Sequence, residues 1–218
     1  MSKFAFWLLL LTLCICQTKT VHSETILDRS IPGVKSALSN ALSKELRTEI
    51  LAMRVEDQSA REKLTDLKNA TTENFEVIAQ IDKSHNNRLK AIISFYGWPG
   101  IQLVGLEGSS AFWLLVQHQD GDLEFQKMCL ELLKDAVANR DAKACDYAYL
   151  LDRVLKNQKL PQVYGTQWDE QDGKYTLYPV ENPVSLDKRR LEVGLCSMED
   201  YQEIMKTMYH LKDLDISP

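Results

Sequence analysis

Apolar residues recur along most of the chain at steps of three and four, the spacing of one face of an α-helix. In the first such segment the recurrence runs from Leu38 through Ile50 to Leu67. Together with turn-forming and capping residues between segments, this pattern predicts helices over 35–68, 73–95, 109–120, 123–139, 142–156, 186–193 and from 198 towards the carboxyl end. The expected capping residues, besides those of segment 109–120, are Thr72, Asp122, Asp141, Ser185 and Ser197. The chain is therefore predicted to be mainly α, as a single-domain helical bundle.

The segment 109–120 is the most apolar of these and is predicted to lie at the centre of the bundle. Its residues from Ala111 to Val116 are all apolar, and a helix that is apolar on every side belongs in a core. Ser109 or Ser110 is expected to cap its start. The polar residues at its end need partners from elsewhere in the chain, because a buried polar group without a hydrogen bond costs about 1–3 kcal/mol. They are Gln117, His118 and Asp120.

One acidic residue interrupts the apolar stripe of the first helix. The helical register puts Asp57 between Met53 and Ala60, in the middle of that stripe. One interpretation is a buried ion pair with Arg61 or Arg54, each about one helical turn away. The other is a carboxylate that points into a polar pocket.

A change of composition near residue 163 predicts the β-structure. Segments 163–168 and 174–178 are rich in β-branched and aromatic residues, and Asp172-Gly173 supplies a turn between them. We expect one small hairpin at about 163–178, in the carboxyl-terminal third of the molecule.

The amino terminus has the pattern of a secretory signal. Lys3 precedes the apolar run 4–16, and Val21-His22-Ser23 offers small residues for cleavage after Ser23. The pattern predicts a signal peptide over 1–23, an exposed lead-in over 24–34 and one domain over 35–215. The mature protein is then exported, to the periplasm or the exterior.

Charge and hydropathy exclude two classes of partner. Loss of Lys3 and Lys19 with the signal changes the formal charge from −5 to −7, and an acidic chain lacks the basic surface that binds nucleic acid. No later segment has the roughly 20 apolar residues of a membrane span, so no stable membrane insertion is expected after signal removal. The expected partner is an unknown small molecule or protein.

Three cysteines follow the predicted signal, and an odd number cannot pair completely. Cys129 and Cys145 lie on the apolar sides of predicted helices, where a buried thiol is the favoured interpretation, although one disulfide among these two and Cys196 stays open. Spacings typical of zinc sites are absent from the sequence, and no metal or cofactor is predicted.

Five short motifs occur in order along the chain. They are Gly97-Trp98-Pro99, Gln117-His118-x-Asp120, Asp152-Arg153-Val154, Tyr164-Gly165-Thr166-Gln167 and Arg189-Arg190-x-x-x-Gly194-Leu195. With these motifs the chain resembles, over roughly 46–201, a bacterial family of uncharacterised domains. The resemblance implies a mostly helical domain with a small β-element and brings no established activity.

The polar residues suggest two functions of different classes. The first is a ligand-binding, protein-binding or structural module built around a buried polar network. The alternative is an extracytoplasmic hydrolase or lyase, in which His118 is the base, Asp57 orients it and Arg190 binds an anion. The catalytic candidates are His118, Asp57, Asp152 and Tyr164. The binding candidates are Trp98, Gln117, Asp120, Arg153, Gln167, Arg189 and Arg190.

Overall fold

The structure is a computed structural model that describes residues 34–63, 71–171, 174–209 and 214–215. Its helices are α1 (Val34–Glu62), α2 (Thr72–Tyr96), α3 (Ile101–Gln117), α4 (Leu123–Ala138), α5 (Ala144–Asn157), α6 (Leu186–Glu192) and α7 (Met198–Tyr209). Its strands are β1 (Trp168–Gln171), β2 (Lys174–Leu177) and β3 (Leu214–Asp215). The prediction of a mainly α protein with a small hairpin is confirmed. The predicted signal, the lead-in up to residue 33 and the end of the first predicted helix lie outside the described residues, while Val34, the last lead-in residue, begins α1.

Helix α3 is the centre of the molecule, as its apolar sequence predicts. Every residue from Gly108 to Gln117 is buried. Helices α1, α2, α4 and α5 all contact it. Its aromatic residues join the surrounding layers, since Trp113 stacks edge-on against Tyr149 of α5, with ring centroids 5.8 Å apart. The polar residues at the end of α3 are therefore held inside the bundle.

The start of α3 differs from the prediction. The helix begins at Ile101, eight residues before Ser109, and turns sharply at Gly105, whose positive φ of 72° suits glycine. Ser109 and Ser110 lie inside the helix and cap nothing at its start. A break at a glycine lets two short apolar helical segments follow one another, and the periodicity on its own did not predict the first of them.

Asp141 caps α3 rather than the helix that follows it in sequence. Its Oδ1 accepts a hydrogen bond from the backbone N–H of Gln102 at 2.7 Å, and its carbonyl oxygen accepts one from Ile101. The sequence predicted that Asp141 would cap a helix from Ala142, but that helix starts at Ala144 with Lys143 at the cap position. The first turn of α3 thus depends on a residue about 40 positions away.

We expect Asp141→Ala to destabilise the protein by about 1 kcal/mol, the usual cost of losing a helix cap. Asp141→Asn keeps a side-chain oxygen for the Gln102 N–H and serves as the control. Urea unfolding of the three proteins measures the difference. Equal losses for alanine and asparagine would show that the cap contributes nothing through this hydrogen bond.

Several other helix ends agree with the sequence, with small shifts. Asp122 caps α4 through the Phe125 N–H at 3.1 Å, and Ser197 accepts from the Asp200 N–H at the start of α7. The cap of α2 is Thr71 rather than the predicted Thr72, and its box is completed by Asn74. Ser185, predicted to cap α6, makes no such bond and ends a short 3₁₀ turn instead.

The sheet differs from the predicted hairpin in two ways: its first strand is shorter, and it has a third strand. Strands β1 and β2 pair antiparallel, with Trp168 opposite Leu177. The segment 163–167, predicted as strand, is irregular, while β3 pairs parallel to β2. Side chains from α5 and α6 hold the backbone of residues 163–165, and the backbone of Gln167 bonds to Gln162 and Tyr178.

The cysteines divide into two kinds. Cys129 is a buried free thiol, as predicted, and Cys196 is also free. Cys145 is disulfide-bonded, which corrects the prediction of a thiol there. The partner of Cys145 lies outside the described residues. In the same described part of the chain, none of the helices combines the length and apolar character needed to cross a bilayer.

Candidate functional site

The carboxylate that interrupts the apolar stripe of α1 meets the histidine at the end of α3. Nδ1 of His118 lies 2.9 Å from both carboxylate oxygens of Asp57. Both side chains are almost inaccessible, with 1% of Asp57 and 5% of His118 exposed. The contact between these two residues, predicted from the sequence, is present.

Arg61 extends this pair into a chain of four charged or ionisable groups. Its Nε donates to Asp57 at 3.0 Å, and its Nη2 donates to Asp82 of α2 at 2.5 Å. Gln58 adds a further hydrogen bond, from its Nε2 to Asp57 at 2.7 Å. The buried ion pair of Asp57 with Arg61 is therefore present, and the same carboxylate also holds a histidine.

The environment sets the protonation of the pair. Burial raises the pKa of Asp57, but three effects outweigh it: the charge that His118 carries at low pH, its hydrogen bond to Asp57, and the charge of Arg61. Together they hold that pKa well below its usual value. Burial, helped by the charge of Arg61, lowers the pKa of His118 below its ordinary value despite Asp57. At neutral pH the stable arrangement is an ionised Asp57 that accepts a hydrogen bond from a neutral imidazole. The proton is then on Nδ1.

Asp82 behaves in the opposite way from Asp57. Burial raises the pKa of Asp82 to about 7. The charge of Arg61 lowers this pKa, but the negative charges of Asp57 and Asp120 raise it and offset part of that effect. Two carboxylates that share one arginine thus have pKa values pushed far apart. Such pairs are typical of sites where one group gives a proton and another takes it.

His118 and Asp82 both line a cavity of about 470 Å³ between α2 and the turn that joins α3 to α4. Along α2 the wall is formed by Phe75, Ile78, Ala79, Asp82, Asn86 and their neighbours Lys83 and Asn87. Across from them lie His118, Gln119, Gly121 and Asp122. Among the described residues, Nε2 of His118 has no hydrogen-bond partner, since both bonds of this ring go through Nδ1. That nitrogen is the one left for a ligand.

A second polar cluster lies next to the first and is built on Asp120. Arg153 of α5 donates to Asp120 at 2.9 and 2.5 Å, and to Gln167 at 3.1 Å. Asn157 and Gln126 also donate to Asp120. Asp120, Arg153 and Gln167, three of the predicted binding residues, therefore bind one another. Their hydrogen bonds tie the end of α3 to α4, α5 and the residues before β1.

A third group holds the segment 163–167. The carboxylate of Asp152 accepts hydrogen bonds from the backbone N–H groups of Val163, Tyr164 and Thr166, and from the Thr166 hydroxyl at 2.9 Å. Asp152 is completely buried. Asp152, predicted as a catalytic candidate, here fixes the backbone of segment 163–167.

The two arginines of α6 hold the same segment from the other side. Arg189 donates to the carbonyl of Val163, and Arg190 donates to those of Tyr164 and Cys196. Arg190 also lies over the ring of Tyr201, 4.8 Å from its centroid, and is fully buried. An anion cannot reach a guanidinium enclosed in this way, and Arg190 does not line the His118 cavity.

The remaining predicted residues belong to the core. Trp98 packs edge-on against Phe112 at 5.2 Å, and Gln117 donates to the Tyr149 carbonyl at 3.3 Å. The predicted residues thus fall into neighbouring groups rather than one cleft. Of them only His118 lines the cavity, and Asp57 holds its ring without lining the cavity itself. Sequence reasoning missed Asp82, Asn86 and the rest of the α2 wall as site residues. The available signal was the presence of Asp82 and Asn86 along the middle of an otherwise apolar face.

The structure also bears on metal binding. Within the residues that are described, no three His, Cys, Asp or Glu side chains are arranged to hold a metal ion. Asp120 is engaged by Arg153, and Asp122 caps α4 while it pairs with Lys90.

Asp146 is a separate buried carboxyl group at the contact of α5 with α3. Burial raises its pKa to about 7, and the Ser110 hydroxyl donates to it at 3.3 Å. Its usual value, near 4, applies in the unfolded chain. Since the folded state binds the proton more tightly, this group reduces stability as pH rises from about 4 to about 7.

We expect the Asp146→Asn variant to gain stability relative to the native protein as pH rises through that range. Urea unfolding at pH 5 and pH 8 measures both proteins, and their difference cancels the other titrating groups. A difference in unfolding free energy that is the same at both pH values would contradict the raised pKa.

The family model described as "Family of unknown function (DUF6624)" matches residues 44–213. The chain belongs to this family. The resemblance to an uncharacterised family, stated from the five motifs, is confirmed at the level of the family. No curated protein and no solved structure matches the chain significantly. The match spans α2 to α7 and most of α1, so every group described above lies inside the DUF6624 region.

Proposed function

We propose that this domain binds a small molecule in the His118 cavity and acts on it by general acid–base catalysis. The observation that carries the proposal is the state of His118. Asp57 holds Nδ1 at 2.9 Å, while the ring lines a cavity of about 470 Å³. A carboxylate that fixes the tautomer and orientation of a histidine leaves its other nitrogen basic and aimed at the ligand.

In this proposal His118 Nε2 takes a proton from water or from the ligand, and Asp82 returns one to the leaving atom. Support comes from the opposite pKa shifts: His118 stays neutral and can accept, whereas Asp82, with a pKa of about 7, is partly protonated and can donate. A hydrolase or a lyase needs one group that accepts a proton and another that donates one. Arg190 has no part in it, because loop carbonyls occupy its guanidinium.

Diethylpyrocarbonate tests the central feature, since it acylates neutral, accessible imidazole nitrogens. Only 5% of His118 is exposed, so we expect slow modification at pH 7, by reagent that enters the cavity, as followed by peptide mass mapping. Ala79→Trp places a large side chain at the cavity wall and is expected to protect His118. Ala91→Trp, an exposed position on α2 away from the cavity, is the matched control and is expected to leave the rate unchanged. An unmodified His118 in the native protein, or no protection by Ala79→Trp, would contradict the proposal.

A binding module without catalysis is the second candidate, and one observation favours it. Arg61 ties Asp57 on α1 to Asp82 on α2, so the same residues also fix two helices to the end of α3. A ligand found by thermal-shift screening decides between the two. Recovery of the compound unchanged after prolonged incubation supports the binding module, whereas conversion that is lost in His118→Gln supports the enzyme.

We also propose export of the mature chain from Glu24 onwards. The support is the order of Lys3, the apolar run 4–16 and the cleavage pattern ending at Ser23. Mass spectrometry of the protein from the periplasm or medium gives its first residue. Since Cys129 and Cys196 are free, cleavage removes the cysteines that could pair with Cys145, namely Cys14 and Cys16. Alkylation of the denatured mature protein without reduction is therefore expected to label Cys129, Cys145 and Cys196. A chain that retains Met1 would refute export by this signal.

A further inference from the structure

The wall that α2 gives to the cavity is a single helical face. Its seven lining residues lie between Phe75 and Asn87 and follow one another at alternating steps of three and one. Because an α-helix rises about 1.5 Å per residue, this face extends for about 18 Å. The cavity is therefore elongated along α2 rather than round.

The two ends of this face differ in chemistry. Phe75, Ile78 and Ala79 make its amino-terminal end apolar. Asp82, followed one turn later by Asn86, makes its carboxyl-terminal end polar. A ligand that fills the whole length needs an apolar part and a polar part.

The charges at the polar end favour an uncharged group on the ligand. Arg61 is committed to Asp57 and Asp82, and Lys90 pairs with Asp122 at 2.5 Å. A cationic group beside Asp82 would lie close to the Arg61 guanidinium. An anionic group would lie close to the carboxylates of Asp82 and Asp122.

One remaining cation, Lys83, is exposed on this wall, where water and salt screen its charge. It therefore does little to draw an anion into the cavity. The Gln119 amide nitrogen already donates to the Leu115 carbonyl, so the side-chain amides of Asn86 and Asn87 are the neutral donors on this wall. They can donate to a neutral carbonyl oxygen, whereas the free Nε2 of His118 can accept from water.

We propose that the ligand is an uncharged amphipathic acyl compound, an amide or ester of a medium-length chain. Its carbonyl group lies beside His118 and Asp82, and its chain lies along Phe75, Ile78 and Ala79. This inference rests on the proposed function, for which it names the class of substrate. With an acyl ester, His118 takes a proton from water, the water oxygen bonds to the carbonyl carbon, and the ester C–O bond breaks as Asp82 protonates the leaving alcohol.

Binding of four small probes tests the ligand class without any turnover. The probes are hexanamide, butanamide, hexanoate and hexylammonium, each titrated into the native protein and followed by amide chemical shifts. Each buried methylene is worth about fourfold in affinity, so hexanamide, with two more methylenes, is expected to bind about fifteenfold tighter than butanamide. Hexanamide is also expected to bind tighter than either charged probe of the same chain length.

The variants Ala79→Trp and Ala91→Trp test where the acyl chain of the ligand lies. We expect Ala79→Trp to remove the advantage of hexanamide over butanamide, and Ala91→Trp to leave it intact. Equal binding of the two amides, tighter binding of hexanoate or hexylammonium, or an effect of Ala91→Trp as large as that of Ala79→Trp would each overturn the inference. If His118 still reacts with diethylpyrocarbonate in the same preparation, only the ligand class fails and the acid–base proposal stands.

Discussion

The variant Leu115→Asp will accumulate as unfolded or insoluble protein. Leu115 is fully buried in α3, the helix against which α1, α2, α4 and α5 pack. An ionised carboxylate at this point gains no partner, and the cost of desolvating it amounts to several kcal/mol. Domains of this size have only about 5–15 kcal/mol of stability in total, so most of it is lost. Near-ultraviolet circular dichroism and solubility measure the effect.

Leu106→Asp is the matched control for this experiment. It makes the same substitution in the same helix, but 48% of Leu106 is exposed. Exposed substitutions usually change stability by no more than about 0.5 kcal/mol, so this variant is expected to fold. A native-like near-ultraviolet spectrum for Leu115→Asp would show that α3 is not the core of the domain.

Asp152→Ala is expected to have the next largest effect. The variant removes the acceptor of three backbone N–H groups, those of Val163, Tyr164 and Thr166. A buried donor left without a partner costs about 1–3 kcal/mol, and the three losses occur together. We expect a loss of several kcal/mol in the free energy of unfolding, measured by urea denaturation, and rapid proteolysis within 162–167.

Asp152→Asn separates the hydrogen bonds from the space that the side chain fills. Asparagine keeps one acceptor oxygen and has nearly the volume of aspartate, so its loss is expected to lie between those of the native protein and Asp152→Ala. If alanine and asparagine cost the same small amount, the hydrogen bonds of Asp152 would not be what holds segment 163–167.

The fold class followed from the sequence because apolar periodicity is a local property. The stripe of α1, the burial of α3 and the capping of α4 by Asp122 depend on neighbours within a few turns. The start of α3 did not follow, since its cap is Asp141 from another part of the chain. Segment 163–167 has the composition of a strand, but Asp152 supplies the hydrogen bonds that a neighbouring strand would have given.

The candidate site was visible in the sequence only where a residue conflicted with its surroundings. Asp57 stood out inside an apolar stripe, and His118 at the end of an apolar helix. Asp82 lies along the middle of the α2 face and Arg61 was a candidate partner of Asp57, but the sequence did not show that the two meet. Their importance depends on the packing of α1 against α2, which joins residues 21 positions apart in sequence.

The state of the His118 ring tests the account most directly. Histidine ¹⁵N chemical shifts report which ring nitrogen carries the proton and at what pH the ring becomes charged. We predict a proton on Nδ1, a free Nε2 and a pKa below the ordinary value of 6.5. Asp57→Asn, which removes the carboxylate charge, is expected to weaken the preference for this tautomer. A proton on Nε2, or a ring that is charged at neutral pH, would contradict the role of His118 as a base held by Asp57.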